Sequence, residues 1–170
     1  MFSLTNQNYG NGSRQQVVTF APEKSDHAFL WIVREGNDKP QCEAAKPIEC
    51  GSLIRLTHHS SQVNLHSHNV RASLTGQAEV SGFGNNGEGD GGDNWIVQCV
   101  DHSRIWQRDK TVRLKHEATG KYLQAVVDAQ FTERNCGGNC PIMNHLEAFA
   151  REQSDANADL SVTGGIFLTQ

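Results

Sequence analysis

A chain of 170 residues is long enough for one domain with a real core, and no linker divides it. Its formal net charge of −4 comes without a basic stripe, which argues against nucleic acid as a partner. No apolar run approaches the ~20 residues a membrane-spanning helix needs, and sixteen glycines against four prolines, clustered between Gly82 and Gly92, punctuate turns rather than helices.

Residues 1 to 12 read as loop or frayed strand, with Asn6, Asn8, Asn11 and two glycines. Asn11-Gly12-Ser13 is a formal N-glycosylation acceptor, so Asn11 is the candidate modification site. Met1 to Asn11 lacks the basic, apolar, small-residue order of a secretory signal, and Phe167-Leu168-Thr169-Gln170 is not a lumenal retention signal. Gln15 to Phe20 reads as a strand ended by a turn at Pro22 to Asp26, and Leu30 to Arg34 as the next strand, with Trp31 its core anchor. From Glu35 to Lys46 the chain is polar and turn-rich.

Between Gly51 and Val97 four short strands are expected, at 52 to 58, 63 to 68, 78 to 83 and 94 to 99. In Ile54-Arg55-Leu56-Thr57-His58 apolar and polar residues alternate, so Ile54 and Leu56 point inward and Arg55 and Thr57 outward. Val112 to His116 repeats the pattern, with Val112 and Leu114 inward. His58 and His116 share the inward phase and are expected as buried rings satisfied by backbone groups. The loop Asn85 to Asp93 has the acidic and glycine content of a calcium loop but not the register of an EF-hand, and reads as solvated. Residues 128 to 141 are irregular, and Ile142, Met143, Leu146 and Phe149 have the spacing of a helical turn or two within Ile142 to Arg151. Gly165-Ile166-Phe167-Leu168 is the closing strand.

These segments recur. Arg55-Leu56-Thr57-His58 returns as Arg113-Leu114-Lys115-His116, and Asn64-Leu65-His66 as Tyr122-Leu123-Gln124, both 58 residues on (113 − 55 and 123 − 65). Leu30-Trp31-Ile32-Val33 precedes Asn94-Trp95-Ile96-Val97 by 64 residues, which gives Trp31 and Trp95 equivalent packing places. A four-stranded unit used three times predicts an all-β chain whose strands close around a pseudo-threefold axis, a β-trefoil, since closure removes unpaired edges. The three repeats span approximately 1–48, 49–103 and 104–170 of a single domain.

The residues Cys50 to His58, Leu65-His66-Ser67-His68, Gly76 to Gly84, Gly87-Glu88-Gly89-Asp90 and Asn94-Trp95 resemble the MIR domain shared by protein O-mannosyltransferases, inositol trisphosphate receptors and ryanodine receptors. Over the whole chain they are similar to the stromal cell-derived factor 2 family. The resemblance implies a β-trefoil of three MIR repeats in the endoplasmic reticulum lumen, working with a DnaJ-type cochaperone and the lumenal Hsp70 on unfolded polypeptides. The first repeat joins the pattern clearly only at Tyr9 to Gly12 and reads as truncated at its N-terminus, for which an incomplete N-terminus is the economical explanation. The third has Asp159-Leu160 where a Trp is expected.

Five cysteines leave at least one thiol unpaired within the chain, and Cys136-Gly137-Gly138-Asn139-Cys140 suits a local bridge, with zinc the rival reading. His66 and His68 share a strand face, which suits metal ligation if a third ligand converges, but none is identifiable. No G-x-S-x-G, no phosphate-cradling glycine loop and no converging carboxylate pair stands out, so neither enzyme activity nor a cofactor is expected. Two binding functions remain: a chaperone-complex adaptor, or a lectin-like module for mannose-type glycans. If the outward face of the second repeat binds, Arg55, His66, His68 and Glu79 are the candidates, the alternative being that all four are ordinary solvated strand residues.

Overall fold

The structure, a computed structural model, describes residues 1–22, 27–43 and 46–165. Among them the strands are β1 (Phe2–Asn8), β2 (Gln16–Phe20), β3 (Trp31–Glu35), β4 (Leu53–His58), β5 (Asn64–Arg71), β6 (Ala78–Phe83), β7 (Trp95–Cys99), β8 (Val112–His116), β9 (Tyr122–Gln124), β10 (Leu146–Glu147) and β11 (Phe149–Arg151), with one helical turn, α1 (Glu133–Cys136). The chain is all-β, as the alternation of β4 and β8 predicts, and Ile54, Leu56, Val112 and Leu114 are buried.

Every ladder is antiparallel, and the sheet closes on itself. β4 pairs with β5, β5 with β6, β6 with β11, β11 with β9, β9 with β8, β8 with β7, and β7 with β4 again. β3 runs along β4, β1 along β2, and β2 joins β6. Closure leaves the ring strands no free edge.

Equivalences first seen as sequence echoes reappear as ladders. β3 and β4 pair from Trp31↔His58 to Glu35↔Ile54, and β7 and β8 pair in the same manner from Trp95↔His116 to Cys99↔Val112. Each indole lies against its histidine, with ring centroids 5.1 Å apart at 54° in one case and 5.0 Å at 56° in the other. Three two-residue pairings also share one register: Gln16↔Gly82 with Val17↔Ser81, Ala78↔Ala150 with Glu79↔Phe149, and Leu146↔Phe20 with Glu147↔Thr19. Val18, Val80 and Ala148 therefore hold equivalent places, and all three are buried in the same core cluster.

Four expectations are corrected. Of the two readings for residues 1 to 12, loop or frayed strand, residues 2 to 8 form a paired strand, because Phe2 and Ser3 pair with Thr19 and Val18 as His66 and Ser67 pair with Ser81 and Val80. The pattern is thus already present at Phe2, ahead of Tyr9. Ile142 to Arg151 is not helical: after a turn it supplies β10 and β11, whose backbone groups complete the pairings with β2 and β6, and this pairing overrides the apolar spacing. The helical turn falls instead at Glu133–Cys136, within the stretch read as irregular. Thr57 is buried rather than outward, its hydroxyl donating to Asn64 Oδ1 at 2.8 Å. The expected closing strand and the turn from Pro22 to Asp26 fall largely outside the described residues.

Two disulfides are present, Cys50–Cys99 and Cys136–Cys140, and Cys42 is free and exposed. The first ties the turn before β4 to the end of β7. The second sits at the foot of α1, where both cysteines pack on a second core cluster of Phe2, Tyr9, Val17, Phe131 and Ile142.

Candidate functional site

The candidate residues separate into two groups. Arg55 leaves the outward face of β4 and turns back on the protein. Its Nε donates to the Glu35 carbonyl at 2.9 Å, its Nη1 to the Gly87 carbonyl at 2.8 Å, and Glu35 Oε1 lies 3.5 Å from Nη2. Asn64 Nδ2 also donates to the Gly87 carbonyl, at 3.2 Å. Arg55 therefore clamps the loop after β6.

His66, His68 and Glu79 come together where β5 and β6 run side by side. The expectation of ordinary solvated residues fails for His66, 5% exposed, and Glu79, 1%, while His68 is half-buried. Period-two alternation fails here because hairpin loops cover the outer face of β5 and β6. His66 and His68 meet edge to face with centroids 5.0 Å apart. The His68 Nε2 lies 3.2 Å from Glu79 Oε1. The same carboxylate accepts the Ser13 hydroxyl and, at 3.4 Å, the Ser13 backbone N–H, so it holds the turn between β1 and β2. Gly12 sits at φ +64°, and a Cβ there would come within 2.2 Å of Glu79 Oε2.

Ser13 belongs to the candidate glycosylation triplet, so its hydroxyl is already engaged. Asn11 itself is exposed, and its Oδ1 accepts from Ser73 Oγ at 2.6 Å.

On the other side of His66 lies a pair of acids that the loop reading passed over. The 3₁₀ turn Gly91–Asp93 is N-capped by Asp90, whose Oδ1 accepts from Gly92 N at 2.8 Å, while Asp93 Oδ2 accepts from Asp90 N at 3.0 Å. This reciprocal cap aims Asp93 Oδ1 at His66 Nδ1, 2.9 Å away. Asp90 Oδ1 is 3.6 Å from the same nitrogen. Gly92 lets the turn close on the imidazole, since a Cβ there would lie 2.3 Å from His66 Cε1. The spacing Asp90-x-x-Asp93 just before the Trp95 strand is the capping signature that marks this pair in the sequence.

Phe83 packs on His66 with centroids 4.7 Å apart, and with Asn85, Asn86, Glu88 and Asp90 it lines an open pocket of about 390 Å³. The cluster can therefore offer one imidazole nitrogen, carboxylate oxygens and an aromatic face to one small ligand.

His58 and His116 are buried as expected, and each meets a hydroxyl as well as a backbone group: His58 Nδ1 lies 2.7 Å from Ser61 Oγ and accepts from Ser61 N at 3.4 Å, and His116 Nδ1 lies 2.9 Å from Thr119 Oγ1. The His116 Nε2 also lies 2.9 Å from the Gly92 carbonyl. Burial holds the His116 pKa below the ordinary histidine value, as it does for His145.

Comparison with known proteins fits this architecture. No family model matches the chain. The chain is similar to a stromal cell-derived factor 2-like protein of Dictyostelium discoideum, 38% identical over 163 residues covering 95% of this chain and 72% of the relative. It is also similar to stromal cell-derived factor 2 of Homo sapiens, 39% identical over 160 residues covering 94% and 71%. The crystal structure of the SDF2-like protein from Arabidopsis thaliana superposes with a TM-score of 0.86 at 29% identity, over 98% of this chain and 87% of that one. A Saccharomyces cerevisiae protein O-mannosyltransferase Pmt1-Pmt2 complex bound to its sugar donor contains the same fold, with a TM-score of 0.75 at 23% identity over 22% of its chain.

Proposed function

The chain belongs to the stromal cell-derived factor 2 family, and on that premise we propose that it is a non-enzymatic adaptor of the endoplasmic reticulum lumen, acting with a DnaJ-type cochaperone and the lumenal Hsp70 in protein folding and quality control. In this reading it is a β-trefoil of three MIR repeats. The three equivalent pairings of β2, β6 and β10–β11 and the two matched indole–histidine contacts support that architecture. Two disulfides support an oxidising compartment, since cytosolic thiols are kept reduced. Among the described residues no helix is long and apolar enough to cross a membrane.

The observation that carries the binding role is a groove of about 310 Å³ between the turn after β5 and the segment after β9. Leu74, Val126, Ala129 and Phe149 line it, together with the charged Asp128 and Arg151. Val127, between two lining residues, is 79% exposed. A groove lined by apolar and polar groups alike, with Thr75, Gln77 and charges of both signs at hand, suits an extended, partly apolar polypeptide.

A second reading, recognition of glycans or glycopeptides by a lectin-like module related to protein O-mannosylation, is favoured by the pocket in which Phe83 stands beside Asn85, Asn86 and Asp90. An aromatic face next to amide and carboxylate groups is what a sugar ring with its hydroxyls requires.

Capture from a secretory lysate separates the two. Recovery of a DnaJ-type partner that free mannose leaves in place, and that Val127→Asp reduces, supports the adaptor. Elution by mannose overturns it in favour of the lectin.

A further inference from the structure

We propose that His66, Asp90 and Asp93 bind a divalent transition-metal ion of the zinc class. One ligand atom from each residue lies within 4.8 Å of the other two, and His66 Nδ1 is 2.9 Å from Asp93 Oδ1 and 3.6 Å from Asp90 Oδ1. In a tetrahedral site with bonds of ~2.0 Å, ligand atoms stand roughly 3.3 Å apart, so the three need only small adjustments to close on an ion. The Asp93 carboxylate is already oriented: its second oxygen accepts from Asn64 Nδ2 at 2.9 Å and from Asp90 N at 3.0 Å. Such outer partners fix the direction of a ligating oxygen. Asp90, the exposed member, also lines the pocket beside Phe83, so the fourth coordination position opens there. One nitrogen, two carboxylates and an open position make a donor set of the kind that binds exchangeable zinc.

The molecule carries its own controls. The hydroxyl of Ser3 donates to the Val17 carbonyl as that of Ser67 donates to the Glu79 carbonyl, so Phe2 stands where His66 does. There Phe29 takes the place of Asp93, edge to face with Phe2 at 5.4 Å, and His145 packs on the same ring at 4.6 Å. At the third equivalent place Gln124, fully buried, sits against the turn Ala156–Ala158 and donates to the Gln153 carbonyl. Asp155 caps that turn just as Asp90 caps Gly91–Asp93, with Ala158 in the place of Asp93. The fold thus fills one packing position with two aromatic rings, with glutamine and alanine, and with a histidine–aspartate pair. Burying an ionisable pair costs desolvation that the neutral solutions avoid, so neither packing nor capping requires His66 and Asp93.

The same control supplies the test. The purified full-length chain, carrying Cys42→Ser to remove the free thiol, is titrated with zinc against a chromophoric chelator. We expect one ion per chain, and at least about 100-fold weaker binding in His66→Gln/Asp93→Ala, which copies Gln124 and Ala158 and should fold. If that variant does not fold, Asp90→Asn at the exposed position reads the same site and should weaken binding about 10-fold or more. Zinc uptake equal in the parent and the folded variants, or no stoichiometric uptake by the parent, overturns the assignment.

Discussion

Glu147 shows how a single buried carboxylate organises a turn. It is 1% exposed and accepts from Leu74 N, Thr75 N and Thr75 Oγ1, each at 2.8 Å. Glu79 does the same for the turn at Ser13, whereas the equivalent Val17 packs on Phe131 and Ile142 instead. Glu147→Ala strips three donors of their acceptor and should cost about 3 kcal/mol in urea denaturation; a loss under about 1 kcal/mol would show the turn to be held otherwise. Neither role was legible beforehand, because the alternation of a strand says which face a side chain takes but not what covers that face. His116 and His145 contribute to the acid limb of stability. Burial lowers both folded pKa values below 6.5, so the folded state binds fewer protons than the unfolded chain. Their contribution is full above pH 6.5 and falls away as pH drops through the lowered values. The midpoint of thermal unfolding should therefore decline on acidification below pH 6.5, and His116→Gln should flatten that decline. An unchanged slope would place the loss elsewhere.

At the scale of elements, β4, β6, β7 and β8 were legible to within a residue or so, because alternating apolar residues and polar turns mark half-buried strands. β1 was hidden by its asparagines, and β10 and β11 by apolar residues at helical spacing. Both are fixed by long-range pairing, with β2 in one case and with β2 and β6 in the other, which no local pattern encodes. The disulfides act at this scale too. Cys50 and Cys99 are 49 residues apart, Cys136 and Cys140 only 4. By the chain-entropy relation, removing the first bridge with paired Cys→Ala changes should cost about 4 kcal/mol and removing the second about 2. Equal losses in guanidinium denaturation would contradict that ordering. Of the three zinc-type donors only His66 is legible in the sequence, since Asp90 and Asp93 lie in a loop that lacks the EF-hand register.

For the whole molecule, recurrence at offsets of 58 and 64 residues anticipated the matched berths of Trp31 and Trp95, and membership of the stromal cell-derived factor 2 family agrees with it. Closure of the sheet directs the binding surface to the loops, since the ring strands spend their backbone groups on one another. Of the candidate binding residues, Arg55 serves that architecture, and the groove beside Val127 is one of two open surfaces beside the loops. The proposed adaptor role turns on this groove. Hydrogen–deuterium exchange of the protein alone and mixed with a lumenal DnaJ-type cochaperone tests it most directly. The account predicts slowed exchange in residues 72–77 and 125–130 with the loop 83–90 unchanged. Protection confined to 83–90, or none at either place, would contradict it.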